Sequence, residues 1–295
     1  MKKLLFMLMT GAMFAFSSCS NNAEEGIEIE SSKQTVSITV GLSSDVQTKA
    51  AFSETTTLED LRLVLMISYN GVIVDTVEAT DWDGTSKSFD LTLVTGQTYS
   101  VAAWADFGSE YYSLTGVGAA PVASMVDPSA VVGGDMKCDA FFAISDVMFD
   151  ASSTALSLTL KRPFGLIWVE TEDLEVESLK NAGLTPDSFV GTFSVPSTMD
   201  LLTGAVGGDV AVTTTGSCNG TQLSYDYIFA NDEASVIDFS YTYSCGETLV
   251  STFDFVNIPV RRNYITKITG NILTKDGEID VVVDQDWDGS FDEEI

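Results

Sequence analysis

Residues 61–74 read LRLVLMISYNGVIV. Leu61 to Tyr69 is an apolar-rich run of strand length. Asn70-Gly71 is the dipeptide that best tolerates positive φ at both central positions of a tight hairpin turn, so Val72-Ile73-Val74 is expected to return antiparallel to the first strand. The same kind of segment recurs on either side. Thr35 to Val40 (TVSITV) and Ser88 to Leu93 (SFDLTL) alternate polar and apolar with period two, the signature of a half-buried strand. Thr98–Ala105, Phe141–Ile144 and Ala155–Leu160 complete a first set. A second set runs through Phe164–Glu170, Phe189–Phe193, Thr221–Phe229, Val236–Ser244, Thr248–Val256, Tyr264–Leu273 and Ile279–Val283. One helix is expected, from Thr171 as N-cap to Ala182, stopped by Gly183. Many short strands separated by Gly, Asp and Asn turns argue for an all-β fold of sandwiches. The Lys161-Arg162-Pro163 break divides the chain into β-sandwich domains at 34–162 and 163–295. No simple repeat period is visible, which argues against a solenoid.

The N-terminus reads differently. Lys2 and Lys3 precede a short apolar run, Leu4–Phe16, and Ser17-Ser18 leads into Cys19. This is the pattern of a signal peptide, residues 1–18, ending in small residues before a cysteine. Cleavage there leaves Cys19 as the acylation site, and lipid on Cys19 would hold the mature chain to a membrane. The apolar run is too short for a stable span. Residues 19–33 (CSNNAEEGIEIESSK) are polar and acidic and read as a flexible tether.

Composition narrows the function. The formal charge is −29, with 43 acidic and 14 basic residues and no histidine. Such a surface repels phosphate backbones, so nucleic acid is not an expected partner. Without histidine the chain lacks the commonest general base, the usual triad partner and the usual catalytic zinc ligand. It is therefore read as a non-enzyme needing no cofactor. Cys138, Cys218 and Cys245 form no CxxC pair, so a metal cluster is unsupported. Two states stay open for them: thiols packed as small apolar residues, or one disulfide, for which sequence proximity favours Cys218–Cys245.

Three constellations remain. Asp284, Asp286 and Asp288 followed by Gly289 have the spacing of the first half of an EF-hand-like calcium loop, but the twelfth position is Ile295 and no helices flank it, so they are weak metal candidates beside a solvated acidic tail. Carboxylate pairs such as Glu172/Asp173 and Asp232/Glu233 are as numerous as 43 acids make inevitable, and sequence does not show two facing one cleft. Trp82, Trp104, Tyr111 and Tyr112 fit either core packing or a sugar-binding platform.

Three segments together resemble the fimbrillin family, subunits of type V pili on anaerobic Gram-negative bacteria. They are the lipoprotein signal with its acidic tether, the strand Thr35–Val40 followed by Gln47-Thr48-Lys49-Ala50-Ala51-Phe52, and the stretch Asn257–Thr274 (NIPVRRNYITKITGNILT). The last is the most specific match. The resemblance implies two transthyretin-like β-sandwich domains in tandem and an outer-membrane lipoprotein displayed on the cell surface or fimbrium. It also implies assembly by donor-strand exchange. Cutting at Lys49-Ala50 would release the first strand, and a neighbour's strand would fill the groove left by Val36, Ile38 and Val40. Expected partners are other pilus subunits or further copies of the chain, and host or bacterial surface ligands. The family's cutting protease often prefers Arg where this chain has Lys49. A surface glycan-binding lipoprotein without pilus assembly is the alternative.

Overall fold

The computed structural model describes residues 32–42, 60–79, 82–134, 138–150, 152–275 and 278–284. Nine strands come first: β1 (Lys33–Leu42), β2 (Arg62–Tyr69), β3 (Val72–Ala79), β4 (Ser86–Val94), β5 (Thr98–Asp106), β6 (Tyr112–Leu114), β7 (Val122–Met125), β8 (Ala140–Met148) and β9 (Ala155–Leu160). A short helix, α1 (Pro128–Val132), lies between β7 and β8. The β2–β3 hairpin turns at Asn70 and Gly71, with φ of 51° and 79°, as the dipeptide demands. Two sheets, ordered β4-β1-β9 and β3-β2-β5-β8, stack face to face. Their inner faces share one apolar core containing Ile38, Leu63, Leu65, Val101, Phe141 and Leu160.

The second half follows with β10 (Phe164–Thr171), α2 (Glu177–Ala182), β11 (Ser188–Asp200), β12 (Val206–Ser217), β13 (Gln222–Phe229), β14 (Ser235–Cys245), β15 (Thr248–Val260), β16 (Ile265–Gly270) and β17 (Asp280–Asp284). One sheet is ordered β13-β10-β16-β17. The other runs β15-β14-β11-β7-β6, with β12 also paired to β11. The fold is thus all-β and built of sandwiches, as the turn-punctuated strands predict.

The second sandwich repeats the plan of the first. β10 stands where β1 stands: each is antiparallel to one neighbour (β4, β13) and parallel to the other (β9, β16). The facing sheets repeat as β3-β2-β5-β8 and β12-β11-β14-β15. A third core joins the two. The rings of Trp104, Tyr112, Phe142, Phe164 and Phe229 meet there with Val131 of α1, and Phe164 and Phe229 stack at 5.0 Å. The β6–β7 hairpin lies within the 34–162 segment by sequence, yet it extends the second sandwich through Thr198–Asp200 of β11.

Two local readings are corrected. The helix does not begin at Thr171, which closes β10; it begins at Glu177. The carboxylate of Asp173, the residue that a longer helix would place in its first turn, instead accepts from the backbone N–H groups of Leu273 and Thr274 and from the Thr274 hydroxyl. Tertiary partners outbid local capping. The helix end is as expected, with Gly183 left-handed at φ 65°. The sets of expected strands also lack β12, which contains Gly207 and Gly208. Gly208 adopts φ 69° beside Ser197 of β11, whose hydroxyl donates to its carbonyl.

Candidate functional site: an interior first strand

β1 alternates polar and apolar side chains, so one face can be buried whole. Val36, Ile38 and Val40 are all 0% exposed, and Leu42 continues the row into the core of the first sandwich. Ser37 and Thr39 point the other way, where the Thr39 hydroxyl bonds that of Ser88 at 2.8 Å. The strand is central in its sheet. Along one edge it pairs antiparallel with β4, setting Ile38 opposite Phe89 and Val36 opposite Leu91. Along the other it pairs parallel with β9, setting Val40 opposite Leu158. Its ends are fixed as well. The Ser37 N–H donates to the Thr154 carbonyl, the Leu42 N–H to that of Thr85, and the Thr95 N–H to that of Ser32.

Two consequences follow from this position. Taking β1 out uncovers the backbone donors and acceptors of β4 and β9 together, because each loses a ladder. It also opens a trough in the apolar core where four side chains lay. At roughly 1.5–3 kcal/mol per buried aliphatic side chain, filling that trough is worth about 6–12 kcal/mol as an upper figure. Any strand that alternates apolar residues with the same period satisfies the same ladders and trough. A one-residue slip would put its polar residues inward, so register is specified.

The last described strand is held differently. β17 pairs with β16 alone, from Thr269↔Asp280 to Ile265↔Asp284, and forms the sheet edge. Val282 and Val283 are exposed. Beyond the ladder, Asp173 clasps the loop after β16. Burial favours protonation of this carboxyl, but donation from the Thr171 and Thr274 hydroxyls and the Leu273 and Thr274 amides prevails and holds it below the usual carboxylate range.

The other predicted positions fall as follows. Cys19, Lys49, Ala50, Asp286 and Asp288 lie outside the described residues, as does the side chain of Asp284, whose backbone ends β17. Among the described residues no group of three or more Cys, Asp or Glu is arranged to hold a metal ion, and no helix is long and apolar enough to cross a membrane. Cys138, Cys218 and Cys245 carry thiols. Cys218 and Cys245 flank Asp187 from opposite sides, since Ser188 of β11 pairs with both Ser217 and Ser244. Two strand spacings, about 9–10 Å, separate them, beyond the roughly 4.4–6.8 Å that a disulfide spans between Cα atoms. Trp82, Trp104 and Tyr112 are buried, at 7%, 0% and 0%, so they are core residues and not a platform for sugars. Tyr111 is half-buried, and one outward aromatic pair among the described residues is Trp168 and Tyr225, paired across β10 and β13 with centroids 6.4 Å apart. The alternation of β1 identified the inserted side chains, whereas the trough walls on β4 and β9 needed the pairing itself.

Two tandem sandwiches of repeated plan, the first completed by an interior N-terminal strand, define the structural class. Within it, the chain belongs to a family of unknown function, DUF6562, whose profile matches residues 28–295. No curated protein matches the sequence. Among solved structures the chain is similar to a DUF1812 protein from Bacteroides thetaiotaomicron, provisionally described as polysaccharide-binding, with TM-score 0.53, 10% identity and coverage of 83% of this chain and 95% of that one. It is also similar to the fimbrial anchor protein Mfa2 from Porphyromonas gingivalis (TM-score 0.49, 12% identity, 85% and 96% coverage). The likeness to the Bacteroides protein is one of fold.

Proposed function

We propose that this is a non-catalytic cell-surface protein, structural or adhesive, of the fimbrillin-like kind: a pilus subunit or pilus-associated adhesin. It is exported with a signal ending before Cys19 and, until it is cut, held to the outer membrane by lipid on that residue. Cutting at Lys49-Ala50 separates β1 from β2, and a strand from a neighbouring subunit then takes the place of β1. The observation that carries this reading is the complete burial of Val36, Ile38 and Val40 on a strand laddered on both sides. The pairing of β17 with β16 supports a subunit that accepts a strand more readily than it donates one, and so a pilus-associated role over a stalk role.

The test uses residues 20–295 and a trypsin-like protease. Cleavage near Lys49 is expected, followed by uptake of a labelled Lys33–Leu42 peptide and by oligomers. A clipped protein that takes up no peptide and stays monomeric at high concentration overturns the proposal.

A second reading is a glycan-binding surface lipoprotein, favoured by the outward Trp168–Tyr225 pair with the Glu170–Lys267 ion pair beside it. It predicts that Trp168→Ala abolishes binding on a glycan array while leaving peptide uptake unchanged.

A further inference from the structure

Basic residues are scarce in this chain, and four of those described are paired with acids. Arg62 pairs with Asp106, Arg162 with Asp139, Lys180 with Glu175 and Lys267 with Glu170. Lys161, Arg261 and Arg262 are different. Among the described residues none of the three makes an ion pair, yet all three line one cleft of about 640 Å³. The cleft lies where the ends of β8 and β9 meet the turn that leads into β16. Phe142 and Tyr264 form its apolar walls, and Asp232 is an acid in its rim.

The guanidinium groups are held in place by neutral partners. Arg261 lies 4.2 Å over the Tyr264 ring and donates through Nε to the Asp232 carbonyl at 2.6 Å. Arg262 lies over the Phe142 ring and donates to the carbonyls of Ala230 and Gly204. Backbone carbonyls fix these cations without neutralising them, and the Lys161 side chain is exposed beside them. Three positive charges against one carboxylate, in a chain of net charge −29, make the cleft a site for an anionic ligand.

The register shows what arrives there. β17 runs antiparallel to β16 and ends at Asp284 opposite Ile265, one residue from Tyr264 in the cleft wall. The eleven residues that follow, QDWDGSFDEEI, carry Asp286, Asp288, Asp292, Glu293 and Glu294. At up to about 3.3–3.6 Å per residue they reach well beyond the cleft. We propose that the cleft formed by Lys161, Arg261 and Arg262 is the docking site for the chain's own acidic segment Gln285–Ile295. Docking pairs its carboxylates with the three cations and holds β17 on the sheet edge.

The test is zero-length carbodiimide cross-linking of residues 20–295, which joins an amine to a carboxylate already in contact. Mass spectrometry of the monomer is expected to find Lys161 joined to one or more of Asp286, Asp288, Asp292, Glu293 and Glu294. The yield should fall about fivefold between 0.1 and 1 M NaCl, as the screening length shrinks from about 10 to about 3 Å. Arg261→Gln should lower it about threefold. Replacing the five acids by Asn and Gln leaves the folded body untouched and should speed hydrogen exchange in β17 about tenfold. Lys161 joined only to Asp232, or to the acidic segment only within covalent dimers, overturns the proposal, the second outcome assigning the cleft to another copy. Unchanged exchange in β17 overturns the holding role.

Discussion

The two sandwiches share a plan and differ in what holds their central strand. In the first, β1 is fixed by backbone ladders and by Val36, Ile38, Val40 and Leu42 against an apolar core. In the second, β10 ends in Thr171, whose hydroxyl donates to Asp173, and Asp173 reaches across to Leu273 and Thr274. A buried carboxyl, Asp226, lies deeper on β13 and accepts from Tyr241. Apolar contacts are non-directional, so a different strand of matching period satisfies them equally. Buried hydrogen bonds are directional, and losing one partner strands the other. Under the proposed exchange, the strand to be replaced is the one held by ladders and apolar contacts alone, whereas β10, whose Ile167 and Val169 also sit in an apolar core, gains directional hydrogen bonds at its end.

The largest effect that would break this contrast is Ile38→Asp, which buries a charge in the trough and should cost more than about 5 kcal/mol in a urea titration. In a protein cut at Lys49, excess wild-type Lys33–Leu42 peptide should restore stability. No added peptide should rescue Ile167→Asp in β10, which is joined to the chain at both ends.

Asp226→Asn acts on the second sandwich alone. Burial raises this carboxyl to about 7, against the lowering influence of the Tyr241 and Thr214 hydroxyls. A carboxyl whose folded value lies above its unfolded value of about 3.9 binds its proton more tightly when folded. Stability is then full below about pH 4, falls between about 4 and 7, and stays low above. Asn should match the wild type near pH 4 and exceed it at pH 8 by on the order of 4 kcal/mol, as melting curves at the two pH values would show.

Asp173→Ala should cost about 1–3 kcal/mol and loosen the loop before β17, seen as faster hydrogen exchange at Leu273 and Thr274. Because this carboxyl sits below its usual range, its contribution is present above its unfolded value and lost as pH falls through the folded one. Glu170→Gln, which removes the half-exposed partner of Lys267, should sharpen the comparison from the weak end, at under about 1 kcal/mol in the same melts.

Much of the fold was legible because local rules agreed with the tertiary result. Asn70-Gly71 sets its hairpin through backbone angles alone, and the alternation of Val36, Ile38 and Val40 announces one buried face. β12 escaped the reading because Gly207-Gly208 resembles a turn and the strand's outer residues are mostly threonine, glycine and aspartate. The start of α2 was misplaced because the carboxylate of Asp173 answers to residues one hundred positions away. The repeated plan left no period in the sequence because it is conserved as pairing order, not as residues. The cationic cleft was half visible: Arg261 to Tyr264 stood within the most specific family-like stretch, but Lys161 joins them only in three dimensions.

The mixed pairing of β1 has a mechanical consequence. β1 and β9 are parallel, β1 receives the chain from the N-terminal side, and β9 passes it on at Leu160. Tension along the chain therefore pulls the two strands in opposite directions along their common axis. Their hydrogen bonds are loaded together in shear and not opened one at a time, so in the uncut chain the first sandwich is built to resist stretching from its N-terminal end.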